Sequence, residues 1–267
     1  MYKVHPIPAL ESNYIWTIEH EPSGDLLVID PGESDPVLAY IREHQLNLNA
    51  LLITHSHWDH VTGIEPIMEY YEHETSAIKP LSVYGPDVIP QVNQPLTEGD
   101  EYHFHSLCFT TWHTPGHLPE HLSYLTKIAG DPALFCGDTL FSAGCGRMFS
   151  GTPTQFQHSL QRFAELPADT KVYCTHEYTE ANLKFALAVD PENAFMREYL
   201  HEVQAVRAQG SPSLPSFIGI EKKINPFLRT SDASIIAAAR QRDAQIAADK
   251  PEEVFRVLRA WKDQFKG

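Results

Sequence analysis

The chain has 267 residues, a formal net charge of −15, 42% hydrophobic and 21% charged residues, enough for one large domain or two modest ones with a substantial core. That charge argues against non-specific nucleic-acid binding and polybasic docking on a membrane, and no run of about 18 apolar residues is present to span a bilayer. A small anionic substrate is still allowed, because charges beyond about 8 Å are largely screened at physiological salt; it would need local cations.

The opening stretch MYKVHPIPALESNYIW lacks the basic start and apolar run of a signal peptide, so a cytoplasmic location is expected. Along the first part of the chain, short strand-like runs fall at Tyr14–Ile18, Leu26–Ile29, Leu51–Ile53, Leu81–Tyr84, Phe104–Trp112, Leu122–Leu125, Leu134–Cys136 and Val172–Cys174. Helical spacing is read over 35–45, 63–72 and 154–166, the last opened by Thr152-Pro153. After about residue 178 the character changes. Segments 179–189, 193–209, 232–248 and 251–265 are rich in Ala, Glu, Arg, Lys and Gln at helical spacing, and Ser211-Pro-Ser-Leu-Pro-Ser216 interrupts them as a loop. The expected architecture is a layered α/β domain over 1–178 carrying a smaller, all-helical domain over 179–267.

The four cysteines are scattered with no Cys-x-x-Cys pair, which does not suggest a disulfide framework. Cys108, Cys136 and Cys174 lie in strand-like runs and read as small buried hydrophobes. Cys145 lies in a Gly-rich loop and is the one to watch for reactivity.

The densest chemistry is Thr54-His-Ser-His-Trp-Asp-His60, directly after the apolar run Ala50–Ile53. His55 and His57 are two apart, so on an extended chain they point the same way. Asp59 and His60 follow where the chain turns towards a helix, with Gly63 giving that turn freedom. A helical His-Glu-x-x-His pair uses a spacing of four to face one metal. The compact H-x-H-x-D-H pattern suits two metals side by side, since imidazole nitrogen and carboxylate oxygen are what Zn²⁺ and similar ions accept. Further donors again follow strand-like runs: His113, His117 and His121, then Asp138, then His176. Ligands delivered from strand ends converge on one edge of a sheet. Spacing alone does not choose among His113, His117 and His121.

THSHWDH, TPGH, CGDTLFSAGCGR, CTHEYT and NPFLRT together resemble the metallo-β-lactamase superfamily, and within it the hydroxyacylglutathione hydrolase (glyoxalase II) family. The similarity runs from end to end, to LRAWKDQF at 258–265. It implies an αββα sandwich followed by the helical domain. It implies one metal held by His55, His57 and His117 and a second held by Asp59, His60 and His176, with Asp138 bridging both. His121 then matches a family histidine that is not a ligand, His113 is unmatched, and Glu120 stands where the family usually has Gly. The resemblance further implies a grip on glutathione by Arg147, Tyr178, Arg259 and Lys262, with Phe149 where some relatives carry Tyr. Arg259 and Lys262 are three apart and on a helix would share a face.

Two divalent ions about 3.5–4 Å apart share a water and lower its pKa towards 7, giving a hydroxide that attacks an acyl carbonyl. Asp59 and Asp138 are the carboxylates expected at that chemistry. A thioester suits it, because a thiol leaves as a thiolate of pKa about 8.5 without a general acid. The implied activity is cleavage of S-(2-hydroxyacyl)glutathione, typically S-D-lactoylglutathione, to the hydroxy acid and glutathione. Zn²⁺ is the expected metal, with Fe or Mn²⁺ also compatible, and a monomer is expected. The rival on this scaffold is a glutathione-persulfide dioxygenase with a single iron, which would have lost Asp59, His60 or His176. Asp30, in LVIDPG, is a candidate to orient a ligand histidine or to stabilise its own turn.

Overall fold

Leucine- and β-branched-rich runs build the first sheet. The computed structural model describes residues 1–75, 80–247 and 249–266. Two units are distinguished, Met1–His113 with Glu120–Gly137, and Thr114–Pro119 with Asp138–Gly267.

In the first unit, β1 (Tyr2–Ala9), β2 (Asn13–His20) and β3 (Asp25–Ile29) form an antiparallel meander. After α1 (Asp35–His44), β4 (Asn47–Leu52) joins β3 in parallel. The four-residue α2 (Trp58–Val61) and α3 (Ile64–Thr75) lead to β5 (Ser82–Gly85), parallel to β4, and to the short β6 (Gln94–Pro95). Val37, Leu38 and Ile41 of α1 and Ile64 and Ile67 of α3 pack on Leu26, Val28, Leu51 and Ile53. An antiparallel set follows: β7 (Glu101–Phe104), β8 (Leu107–His113), β9 (Leu122–Ile128) and β10 (Asp131–Gly137). Tyr84 of β5 and Tyr102 of β7 meet at 4.1 Å, and the Tyr124 hydroxyl donates to the Ile53 carbonyl. Central strands buried on both faces explain why β2 and β3 read as continuous apolar runs.

Two expectations are corrected here. The single strand over 104–112 is two strands, because His105 adopts φ 52 and turns the chain into a hairpin. β1 was not expected, because Pro6 and Pro8 break its pattern; it lies at the sheet edge, where proline removes no ladder bond the sheet needs.

In the second unit, β11 (Leu140–Phe141) and β12 (Gly144–Cys145) make a tight hairpin. α4 (Pro153–Ala164) opens with a capping box between Thr152 and Gln155 and proline in its first turn, together worth about 1 kcal/mol. β13 (Lys171–Cys174) leads into α5 (Thr179–Val189) and α6 (Ala194–Ala208), then β14 (Ser216–Phe217), antiparallel to β13. α7 (Ile218–Ile224), α8 (Ala233–Arg242) and α9 (Pro251–Gln264) complete the chain. Leu183, Ala186, Met196, Val203 and Ile224 pack around Ala143 at the hairpin tip. Phe156, Phe185, Phe227, Phe255 and Trp261 form an aromatic cluster linking α4, α5 and α9.

α7 was missed, since seven residues carry too little periodicity to separate them from the preceding Pro-rich loop. α8 is shorter than the expected 232–248, ending where Asp243 turns extended. Residues 248 and 267, at the ends of the expected helix and of the expected helical domain, lie outside the described residues. No helix among the described residues is long and apolar enough to cross a membrane.

All four cysteines are free. The expectation for Cys145 is overturned: it is buried, and that burial pushes its thiol up to about 11, although Arg259 pulls the other way.

Candidate metal centre

In the first unit, the chain leaves β4 extended, and Thr54 to His57 follow at the carboxyl end of the parallel strands. The two-residue spacing places His55 Nε2 3.1 Å from His57 Nδ1. Asp30 ends β3 in the left-handed region, at φ 51, which turns its carboxylate under this loop. Asp30 Oδ1 accepts the Thr54 N–H, and Oδ2 accepts the Thr54 hydroxyl, both at 2.7 Å. Oδ2 also accepts His60 Nδ1–H at 3.0 Å.

These bonds fix two tautomers. The Thr54 hydroxyl proton points at Asp30, so its oxygen accepts from His55 Nδ1–H at 3.0 Å. His55 and His60 therefore carry their protons on Nδ1 and offer Nε2 lone pairs, as metal-ligating histidines do. His60 Nε2 lies 3.8 Å from Asp59 Oδ2, and Asn13 Nδ2 donates to that oxygen at 3.2 Å and to the Asp59 carbonyl at 3.1 Å. Nothing in the sequence pattern had given Asn13 a role. Gly137 closes the same corner: at φ 47, a Cβ there would meet Thr54 Oγ1 at 2.4 Å.

His121 is buried and stacked on His55 at 4.7 Å, while His113 is exposed at the end of β8. Glu120 accepts the Ser56 hydroxyl at 2.6 Å, so the departure from the family pattern ties two loops of this unit.

In the second unit, Asp138 sits between two imidazoles. Its Oδ2 is 3.6 Å from His117 Nε2 and its Oδ1 is 3.4 Å from His176 Nε2. His117 Nδ1–H donates to the Arg147 carbonyl at 2.7 Å, which again leaves Nε2 as the donor atom. Gly146 allows that approach, because a Cβ there would lie 2.0 Å from the Asp138 carbonyl and 2.9 Å from His117 Nδ1. The loop from Asp138 to Arg147 is anchored from below by α7. Glu221, fully buried, accepts the Ala143 N–H at 2.8 Å and the Ser216 hydroxyl, and Asn225 Nδ2 donates to the carbonyls of Phe141 and Gly144 at 3.1 and 2.8 Å. Burial pushes the Glu221 carboxyl up, and the hydrogen bonds from Ser216, Asn225 and Ala143 oppose that rise. This clamp was not expected from the sequence: Asn225 opens the NPFLRT stretch, yet neither residue was given a role there.

A family model for the metallo-beta-lactamase superfamily matches residues 10–176, and one for the hydroxyacylglutathione hydrolase C-terminus matches 177–265. Proteins named hydroxyacylglutathione hydrolase from Pseudomonas aeruginosa and Aeromonas hydrophila are 46% and 44% identical, each alignment covering 99% of this chain and 100% of the relative. This chain belongs to the hydroxyacylglutathione hydrolase family. The fold agrees: the crystal structure of ETHE1 from Myxococcus xanthus matches with a TM-score of 0.63 at 23% identity, over 98% of each chain. The α/β sheets followed by helices α5 to α9 are thus a metallo-β-lactamase fold with the helical C-terminal segment of this family.

The residues that the resemblance assigns to substrate binding all lie in the second unit. Tyr178 stacks flat on His176 at 4.7 Å with its ring 39% exposed. Arg147 is exposed, and Phe149, 61% exposed, sets its edge against His117 at 5.3 Å. Lys262 is half-buried beside the rings of Phe185 and Phe265 and donates to the Ala181 carbonyl at 3.4 Å. Burial, with Arg259 nearby, lowers its amine to about 8.

Arg259, expected with Lys262 to grip glutathione, has a buried guanidinium. It is 5% exposed, and its Nη1 donates to the carbonyls of Cys145 and Gly146 at 2.9 and 3.3 Å. Its Nε and Nη2 are held by Asp263 at 3.1 and 2.9 Å. Its guanidinium fastens the loop that carries Arg147.

Proposed function

We propose that this chain hydrolyses S-(2-hydroxyacyl)glutathione thioesters, typically S-D-lactoylglutathione, to the 2-hydroxy acid and glutathione, the second step of methylglyoxal detoxification. One observation carries the reading. Asp138 turns its two oxygens to two different histidines, in a chain that is 44–46% identical over its length to hydroxyacylglutathione hydrolases. A carboxylate so placed suits a bridge between two ions.

The donor chemistry fits a pair of divalent cations. His55, His60 and His117 present Nε2 lone pairs fixed by hydrogen bonds on Nδ1, and Asp59 and Asp138 add hard oxygens. In this reading His55, His57 and His117 hold one ion, Asp59, His60 and His176 hold the other, and Asp138 serves both. When bound, such a pair supplies Lewis acidity that acidifies water and polarises a carbonyl.

The chain's own residues supply the rest. Asp30 and the Arg147 carbonyl keep the imidazoles in the ligating tautomer, and Asn13 holds the Asp59 carboxylate in place. Arg147 and Lys262 are the cations a substrate with two carboxylates requires within a chain of charge −15. Tyr178 offers a hydroxyl above a ring fixed by stacking, and Arg259 acts through the loop it fastens. The sulfur departs as a thiolate, whose conjugate acid has a pKa of about 8.5, and then takes a proton from solvent, so no general acid is needed. The proposal assigns 1–178 to the catalytic domain and 179–267 to the substrate-binding domain. It extends to Zn²⁺ as the resident ion, with Fe or Mn²⁺ as substitutes, and to a monomer in the cytoplasm.

The test is turnover of S-D-lactoylglutathione by metal-loaded protein, with bound metal counted in the same sample. Rapid hydrolysis with about two metals per chain supports the reading. No hydrolysis with a single iron would favour the dioxygenase, and no hydrolysis with two metals would leave the metal chemistry and remove glutathione.

A further inference from the structure

The β7–β8 hairpin of the first unit carries a second group of donors. Antiparallel register pairs His103 with Cys108, and Glu101 lies two residues before His103 on the same face. A carboxylate oxygen, an imidazole nitrogen and the thiol sulfur of these three lie within 4.8 Å of one another. Glu101 and His103 are exposed, and Cys108 is partly so. Glu101 Oε2 is 3.8 Å from His103 Nε2, and burial together with the adjacent Glu101 carboxylate pushes the Cys108 thiol up. Among the described residues no lysine or arginine forms an ion pair with Glu101. Its carboxylate is thus left beside the thiol and the imidazole.

We infer that Glu101, His103 and Cys108 form a surface site for one borderline-soft divalent metal ion of the Zn²⁺ class. The donor set selects the class. Thiolate and imidazole favour zinc-like ions over Mg²⁺ or Ca²⁺, and three protein ligands leave the fourth tetrahedral position to water. The hairpin preforms it, because the cross-strand pair and the two-residue step fix all three side chains on one face of paired strands. On binding, the ion takes the place of the thiol proton. The S–H bond breaks, a sulfur–metal bond forms, and one proton passes to solvent, so affinity rises with pH. The site is distinct from the proposed catalytic centre, whose donors are nitrogen and oxygen only.

That difference in donors makes the site readable by itself. Co²⁺ is titrated into the full-length protein loaded with two equivalents of Zn²⁺ at the proposed catalytic centre and cleared of free zinc, and near-ultraviolet thiolate-to-cobalt charge transfer is followed. The expected result is a band saturating at one equivalent, absent in Cys108→Ser and displaced by added Zn²⁺. His103→Ala and Glu101→Gln are each expected to weaken Co²⁺ by about tenfold or more, with thioester turnover unchanged in all three variants. No band, or a band that survives Cys108→Ser, overturns the site. A Co²⁺ affinity unaltered by His103→Ala and Glu101→Gln reduces it to a lone thiol and overturns it equally.

Discussion

Asp30 Oδ2 accepts both the Thr54 hydroxyl at 2.7 Å and His60 Nδ1–H at 3.0 Å, inside a corner where all three residues are buried. One carboxylate oxygen thereby sets the tautomer of His60 directly and that of His55 through Thr54. In Asp30→Asn, an amide N–H₂ at the Oδ2 position would face a donor at His60 and release the ring. The expected outcome is a loss of about 10–100-fold in metal affinity, measured by competition with a chelator. Wild-type affinity in that variant would mean that Asp30 only stabilises its turn.

Asp138→Ala removes the group lying between His117 and His176. Nearly all thioesterase activity is expected to disappear, and bound metal to fall below two per chain when measured by elemental analysis. Turnover like that of the unaltered protein would end the two-metal reading.

The candidate donors stand out in the sequence because their chemistry is local. His55, His57, Asp59 and His60 fall within six positions, and Asp138 and His176 each close a strand-like run, whereas only the family resemblance singles out His117 from His113 and His121. What fixes those donors was not legible. Asn13, Glu221 and Asn225 were given no role, although Asn225 opens NPFLRT, because their partners are backbone groups or single side chains reached only after folding. Arg259 and Lys262 show the limit of spacing: three apart on α9, they share a face, yet one is buried against loop carbonyls and the other reaches a half-exposed rim. A helical repeat gives direction around the axis, while burial depends on what packs there.

Glu221→Ala is expected to leave the Ala143 N–H without its buried acceptor, costing about 1–3 kcal/mol. Thermal unfolding reads that loss. Because the same carboxylate holds the hairpin between Asp138 and Arg147, KM for S-D-lactoylglutathione is expected to rise as well. A lower melting temperature with unchanged kinetics would confine Glu221 to stability.

Cys145 and Cys108 are expected to separate under alkylation. Cys145 is buried with its thiol pushed up to about 11, whereas Cys108 is partly exposed on the hairpin. Native protein treated with iodoacetamide near neutral pH is expected to take label at Cys108 and to protect Cys145 until unfolding. Mass spectrometry of the digested protein locates the label, and rapid modification of Cys145 in the native state would contradict its burial.

Arg259 and Lys262 are expected to fail differently. Arg259→Ala removes hydrogen bonds from a charged group to the Cys145 and Gly146 carbonyls, so stability falls by about 2–3 kcal/mol. Lys262→Ala is expected to raise KM with little change in stability. The sign with pH follows from the amine's lowered value of about 8. Below that value Lys262 is a cation and attracts a substrate carboxylate. As pH rises through it the charge is lost, although a lysine of ordinary pKa near 10.4 would still hold its proton. KM for glutathione thioesters should therefore climb between about pH 7 and pH 9 in the unaltered protein, and stay flat and high over that range in Lys262→Ala. A parallel climb in the variant would move the titration to another group and leave Lys262 as part of the solvated rim.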